Sequence, residues 1–349
     1  MKVGDDVLEE LYRDLLKVDA EWSIHTPTGF TWWADPHAQH IDLLGEVGGP
    51  DDEVGVLVAV RTELLRELVL DDLAASALNS RLMAFASLTG PVYDPTTRTL
   101  SLSSLMAIHE DTRRWMPRLL SIAALLQINE TRRLSPELAT LLQAEIAASG
   151  PPQRGQRPEP DEMAEVVPRL LAPLGCQPSR WQDAEFADTL ERYLQQPPAL
   201  LATGEDNGFT VEFPYGDQTS LFQAMADQPH PAYGNGLFVL QSFPVGHLSN
   251  DEGIRLALAL NAVELAERPF GYGLGSYCYQ RNLLHFVSFF PNLTHSPGLL
   301  PNLYFAAAQR ARALSIRLMQ QDWTASTVDN SGPWWVPKPK QHHCTRKPS

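Results

Sequence analysis

The sequence predicts an α+β protein made of two similar modules, each an antiparallel sheet with helices packed mainly on one face. Three observations carry that prediction. First, short segments recur in the same order: Gly29-Phe30-Thr31, Ala77-Leu78-Asn79 and Arg98-Thr99-Leu100 return as Gly208-Phe209-Thr210, Ala259-Leu260-Asn261 and Arg281-Asn282-Leu283. The offsets are 179, 182 and 183 residues, a drift that small loop insertions explain. Second, both halves give one series of elements: a helix, four strands of which the first is short, a helix, two strands and a closing helix. Third, strands and helices do not alternate singly, which excludes a doubly wound parallel sheet.

The elements of the first half follow from local pattern. Leu8, Leu11, Leu15 and Val18 recur at helical spacing behind acids in the first turn, so a helix is predicted over Asp5 to Val18. Strands are predicted at Glu21–Thr26, Gly29–Ala34 and Gln39–Leu44, broken by Pro27-Thr28-Gly29 and Asp35-Pro36. Gly55 to Arg61 is a β-branched run fit for a central strand. Asp71 to Leu88 reads as a helix closed by Thr89-Gly90-Pro91. Pro91–Asp94 and Arg98–Ile108 form a hairpin. A long helix then starts near Asp111-Thr112 with Trp115, Leu119, Ile122 and Leu126 on one stripe.

The second half repeats the series. A helix is predicted over Asp183–Leu194, and strands at Ala199–Thr203, Gly208–Phe213, Thr219–Ala226 and Gly236–Phe243, with Asp206-Asn207-Gly208 as a hairpin turn. A helix over Asp251–Glu267 takes Asn250 as its cap. Gly273–Tyr279 and Asn282–Phe290 are the hairpin strands, and Leu300–Gln320 closes the module. The expected organisation is a first module over 1–146, a Pro/Gly-rich linker with one docked turn over 147–181, a second module over 182–323 and a mobile basic tail over 324–349.

Composition narrows the function. The chain has 349 residues and a formal net charge of −15. Its last stretch, Ser331 to Ser349, carries Lys338, Lys340, Arg346 and Lys347 and no acid, so the body is more acidic still. Such a body repels phosphate, which argues against nucleic acid or an anionic membrane as the main partner and favours a basic or neutral protein. The three cysteines, Cys176, Cys278 and Cys344, are scattered, so a disulfide framework is not expected and a cytoplasmic location is. Met1-Lys2-Val3-Gly4-Asp5-Asp6 lacks the apolar core of a signal peptide, and no run approaches the ~18 apolar residues of a membrane span.

No motif points to catalysis. GxSxG, Walker A, HExxH and CxxC patterns are absent from the sequence. His37 and His40 lie three apart near Asp35 and Asp42, but a metal site needs about three or four converging ligands, so they read as solvated loop histidines. Asp51-Asp52-Glu53 reads as a solvated acid cluster, and Cys176 and Cys278 as buried or incidental thiols. His342-His343-Cys344 sits in a tail that cannot fix a ligand geometry. Gly271-Tyr272-Gly273-Leu274-Gly275 lacks the GxGxxG spacing and precedes a strand, so turn glycines explain it better than a phosphate cradle. The expectation is no catalytic residue, no cofactor and no metal.

Three features point to binding instead. Trp22, Phe30, Trp32 and Trp33 fall on two adjacent strands, and alternation places Trp33 on the face opposite Phe30 and Trp32. With helices on one side only, that predicts an exposed aromatic platform for a peptide, or Trp33 packed against the linker or the other repeat. Phe209 and Phe213 give the second half a one-faced counterpart. Asn79 and Asn261 recur inside the middle helices, where asparagine is a poor helix former, so a structural hydrogen bond to backbone at a sheet edge or turn is expected. Pro333-Trp334-Trp335-Val336-Pro337-Lys338-Pro339-Lys340 reads as a docking motif or as a segment folding back on the protein's own groove.

The series Ala77-Leu78-Asn79-Ser80-Arg81-Leu82, Pro91-Val92-Tyr93-Asp94 and Arg98-Thr99-Leu100-Ser101-Leu102 resembles the YbjN pattern of a helix with a central asparagine, an aromatic strand, a turn and an apolar strand. Leu260-Asn261 and Gly273–Phe290 carry it into the second half, although Val263-Glu264 stands where the first half has Arg81-Leu82. Each half is thus similar to the CesT-like type III secretion chaperone and YbjN group, in the arrangement of two-module actinobacterial peptide-binding chaperones. The resemblance implies a non-enzymatic protein that holds a polypeptide client, with the duplication building an intrachain pseudo-dimer. From other classes, a regulatory or immunity-type protein binding a folded partner, or a hydrolase with dispersed residues, are the alternatives.

Overall fold

The computed structural model describes residues 2–48, 53–85, 87–171, 177–193, 207–246 and 248–319. Helix α1 (Lys2–Glu9) runs into a π-helical turn at Glu10–Leu15. Strands β1 (Ser23–His25), β2 (Gly29–Trp32), β3 (Gln39–Gly48) and β4 (Val54–Arg66) follow. Helix α2 (Asp72–Leu78) is capped by the Asp71 carboxylate and continues as a π-helical turn at Asn79–Met83. Strands β5 (Gly90–Asp94) and β6 (Thr99–Ile108) lead to the long helix α3 (Met116–Leu142), which has Pro117 in its first turn, and then to β7 (Glu145–Ile146).

After α4 (Val166–Leu171) the series repeats. It runs through α5 (Asp183–Asp188) with a π-helical turn at Thr189–Tyr193, then β8 (Gly208–Tyr215), β9 (Gln218–Met225) and β10 (Gly236–Pro244). Helix α6 (Asn250–Ala266), β11 (Ser276–Gln280), β12 (Leu283–Pro291) and α7 (Leu299–Leu314) complete it.

All strands pair antiparallel in two sheets. The first has the order β1-β2-β3-β4-β6-β5, with β7 on the end of β4, and the second has β8-β9-β10-β12-β11. From β2 onward the two orders are the same, so the recurring tripeptides mark one topology used twice. Even the register repeats: Phe30 faces Ile41 as Phe209 faces Ala224. Alternation then sends Phe30, Trp32, Ile41, Val58 and Val60 under α3, and Phe209, Phe213, Phe222 and Phe243 toward α7, all of them buried.

Several details depart from the sequence reading. Ser249, not Asn250, caps α6: its Oγ accepts from Glu252 N–H, and the Glu252 carboxylate accepts from Ser249 N–H in return. Ala199–Thr203, and Asp206 of the turn expected before β8, lie outside the described residues. The segment expected to be a linker is docked along much of its length. Ala147 N–H bonds Leu64 O, Ser149 N–H bonds Pro36 O and Asp161 N–H bonds Ala34 O, which straps residues 147–161 across the first sheet. Among the described residues no helix is long and apolar enough to cross a membrane.

Candidate functional site: the seam and cavity between the two modules

The aromatic platform expected from the sequence is closed. Phe30, Trp32, Trp33, Phe209 and Phe213 are all buried. Trp33, the residue placed on the uncovered face, donates its indole N–H to Ser149 Oγ at 3.1 Å, and its carbonyl accepts from Arg157. Trp22 is half-buried, with the Arg154 and Arg157 guanidinium groups 5.9 and 5.3 Å from its ring. The linker is the cover over Trp33 and Trp22, while Phe30, Trp32, Phe209 and Phe213 are core under α3 and α7.

The histidines are not solvated either. His37 is buried beside the strap, and burial pushes its pKa down to about 4. His40 bridges Thr31 Oγ1 at 2.9 Å and Glu63 at 3.0 Å across three strands. That hydrogen bond is the main reason the Glu63 carboxyl titrates below its usual range. Glu53 lies just beyond the far end of β4, about 26 Å along the strand from Arg61, which faces His40, and Asp51 is outside the described residues. With Glu53 that far from His40, a hydrolytic cluster of His37, His40, Asp51 and Glu53 is not assembled. No group of three or more His, Cys, Asp or Glu among the described residues could hold a metal ion. Cys278 is buried, with its thiol pushed up to about 12, while Cys176, Cys344, His342, His343 and Pro333–Lys340 lie outside the described residues.

What the fold does bring together is the seam between modules. Edge strand β11 turns the outward N–H and C=O of Tyr277 and Tyr279 away from β12, and asparagines occupy both positions. Asn261 Oδ1 accepts from Tyr277 N–H at 2.7 Å and its Nδ2 donates to Tyr277 O at 3.2 Å. Asn79, from the other module, does the same to Tyr279 at 2.8 and 3.0 Å. An amide side chain carries one acceptor and two donors, so it imitates the neighbouring strand that an edge would otherwise recruit. The two recurring asparagines thus seal one edge, one from each module.

Around this seal the backbones dock directly. Leu105 and Gly273 exchange two N–H···O bonds of 3.0 Å, and Phe289 N–H bonds Ser87 O at 3.0 Å. A Cβ on Gly273 would lie 2.5 Å from Leu105 O, so glycine is required at that crossing. Of the glycine run, Gly273 thus serves the seam. Asp72 pairs with Arg255 across it, at 3.1 Å to Nε.

Beside the seam lies a cavity of about 300 Å³. Its walls are mostly apolar: Leu82, Phe85, Leu102, Leu134 and Leu138 from the first module, and Pro231 and Ala232 from the β9–β10 loop of the second. Phe85 is 57 % exposed at the rim, where Arg81 pairs with Glu137 at 3.6 Å and Arg133 is also exposed. Deeper in, Glu130 of α3 is only 6 % exposed. Its Oε1 accepts from Ser87 Oγ–H and, at 2.8 Å, from Tyr233 O–H. Burial raises the Glu130 carboxyl above its usual range, opposed by those hydrogen bonds and by Arg133.

Next to it, His230 donates from Nε2 to Phe85 O at 3.0 Å and accepts Ala232 N–H on Nδ1 at 3.1 Å. That pairing fixes the neutral ring, and burial lowers its pKa. A more open, polar cleft of about 580 Å³ lies between Pro178–Ala184 and Asn207, Ala226, Asp227 and Asn235, bordering residues outside the described set.

Sequence reasoning missed Glu130, His230 and Tyr233. The signal for Glu130 was present, because it extends the apolar stripe Trp115, Leu119, Ile122 and Leu126 by one turn. A carboxylate on a core stripe requires a partner or a cavity. No family model, curated protein or solved structure matches the chain.

Proposed function

We propose that this chain is a non-enzymatic peptide-binding chaperone or adaptor, acting in the cytoplasm as an intrachain pseudo-dimer whose client lies along the cleft between the modules. The reading agrees with the family resemblance of the two halves. The observation that carries it is the inter-module cavity: apolar walls from both modules, an exposed phenylalanine at the rim, and backbone edges nearby already closed by Asn79 and Asn261. Because the edge at β11 is occupied, recognition rests on anchor side chains entering a pocket and not on strand addition there. The acidic body adds long-range attraction for a basic client. No chemical step is required of any residue.

The test is capture of unfolded polypeptide by the full chain, read by light scattering of a denatured client and by titration with a peptide library. Phe85→Asp is expected to lower affinity at least about tenfold with the fold unchanged, since the substitution places a charge at an apolar rim. Equal capture by wild type and Phe85→Asp, or binding to a folded partner with no preference for unfolded chains, would remove this reading.

A further inference from the structure

Resting on that reading, we infer that the inter-module cavity is a lysine pocket: it takes one lysine side chain of the client, stem along the leucines and ammonium on Glu130 Oε2. Both hydrogen bonds to the Glu130 carboxyl, from Ser87 and Tyr233, fall on Oε1. Oε2 has no partner among the described residues, and it is not among the side-chain atoms sealed away from solvent without one. Glu130 is more than nine-tenths buried and lines the cavity, so its partnerless, solvent-reachable Oε2 is a polar atom open to that cavity.

The chemistry selects the ligand in three steps. A volume of about 300 Å³ is at the bottom of the ~300–1,000 Å³ range of ligand sites, the scale of a side chain more than of a cofactor. Apolar walls ending in one carboxylate oxygen match an aliphatic stem ending in a cation, which buries its methylenes and keeps its charge paired. Finally, only one oxygen is available. A guanidinium prefers a bidentate carboxylate, whereas an ammonium is a point charge satisfied by a single acceptor. Lysine therefore fits better than arginine. An anion would find a positive partner only in Arg133 and Arg81 at the exposed rim, with Glu130 opposing it further in.

The charged and titratable groups facing Glu130 are Arg133 and Glu137 on its own helix, Arg81 from the π-helical turn, and His230 and Tyr233 from the β9–β10 loop. Arg81 and Glu137 offset each other, His230 is held neutral, and Arg133 is the one opposing charge. Arg133 also favours the ionised form of Glu130 on which the ammonium depends. Binding a lysine ammonium then shifts Glu130 toward its carboxylate, so affinity should be complete above the Glu130 pKa and fall as pH drops through it. That loss begins above the usual carboxylate range, because burial raises this group.

The test titrates the full chain with three probes, the N-acetyl N-methylamides of lysine, arginine and norleucine, following the methyl resonances of Leu82, Leu102, Leu134 and Leu138. The expected order is lysine, then arginine, then norleucine, with lysine at least about tenfold tighter than norleucine. Glu130→Gln keeps an acceptor for Ser87 and Tyr233 and should abolish the lysine preference while leaving norleucine binding in place. In wild type, lysine affinity should fall on acidification while norleucine affinity stays level, a readout that does not depend on any variant folding.

Norleucine binding as tightly as lysine, or a lysine preference that survives Glu130→Gln, would overturn the lysine pocket. Neither result would touch the peptide reading, which fails separately if Phe85→Asp captures polypeptide normally. Probe binding that appears only after Lys338→Gln and Lys340→Gln would assign the pocket to this chain's own lysines and overturn the external client.

Discussion

At the carbonyls of Ala124 in α3 and Ala307 in α7, the two modules meet the same requirement with different residues. In the first, Gln39 Nε2 donates to Ala124 O at 2.9 Å and to Thr62 Oγ1 at 2.8 Å, and Thr62 in turn donates to Gln127. In the second, Gln241 Nε2 donates to Ala307 O at 2.8 Å and to Ser220 Oγ at 3.1 Å, and Arg310 donates to Gln241 Oε1. Each network stitches a helix to its sheet, and each ends three residues further along the helix, at Gln127 or Arg310. The amide needs only hydrogen bonds. The guanidinium needs a counter-charge, and Glu264 supplies it from α6 at 2.7 Å, with Tyr277 O–H donating to the same carboxylate and the Phe286 ring 3.5 Å below the cation. The first module has Leu82 at the place of Glu264. A duplicated frame thus tolerates a change of polar chemistry when both partners of the new pair change together.

The two networks differ most in energy at the ion pair. Arg310→Leu leaves a fully buried carboxylate unpaired and should cost about 3–5 kcal/mol in urea unfolding. The double variant Glu264→Leu with Arg310→Gln installs the first module's residues and should recover most of that loss. A double variant no more stable than Arg310→Leu would show that the networks are not equivalent.

The asparagines give the next largest effect. Asn79→Ala or Asn261→Ala each strands a buried N–H and C=O on β11 and should cost about 1–3 kcal/mol. Hydrogen exchange separates them. Asn79→Ala should speed exchange at the Tyr279 amide and spare Tyr277, and Asn261→Ala should do the reverse.

Within the first module, two buried groups titrate with opposite effects on stability. His37 has a folded pKa below its unfolded value, so its contribution is complete above about pH 6.5 and is lost as pH falls toward 4. His37→Gln should flatten that acid limb by roughly 1–2 kcal/mol. Glu130 is shifted the other way: its folded pKa is raised, so stability is fully present at low pH and lost as pH rises through that value. Glu130→Gln should therefore stabilise the chain at neutral pH and converge with wild type in acid, as checked by denaturation at both pH values. The smallest effect belongs to the exposed Asp72–Arg255 pair, where Asp72→Ala should cost no more than about 1 kcal/mol.

Much of the frame was legible in the sequence because strand alternation and helix periodicity are local signals. The strands and hairpins follow from residues within a few positions of one another, and the paired asparagines from the recurrence of Asn79 at Asn261. What escaped was long-range cover. The burial of Trp33 depends on Ser149 and Arg157, more than a hundred residues away, and that distance hid the closure of the aromatic surface. The cavity escaped for the same reason, since Glu130 meets Tyr233 only through docking of the modules. Gly273, read as a turn residue, is placed by its contact with Leu105. Glu264 was visible as a departure from the first half, but its meaning required Arg310.

Where a client touches the protein is the most direct readout of the inter-module cavity. Methyl resonances of the full chain, recorded while an unfolded lysine-containing polypeptide is added, should shift at Leu82, Leu102, Leu134 and Leu138 around the inter-module cavity. The methyls of Val58, Val60 and Ile41 in the first core should stay in place. Shifts confined to the outer strands of either sheet, or no shift at saturating polypeptide, would contradict it.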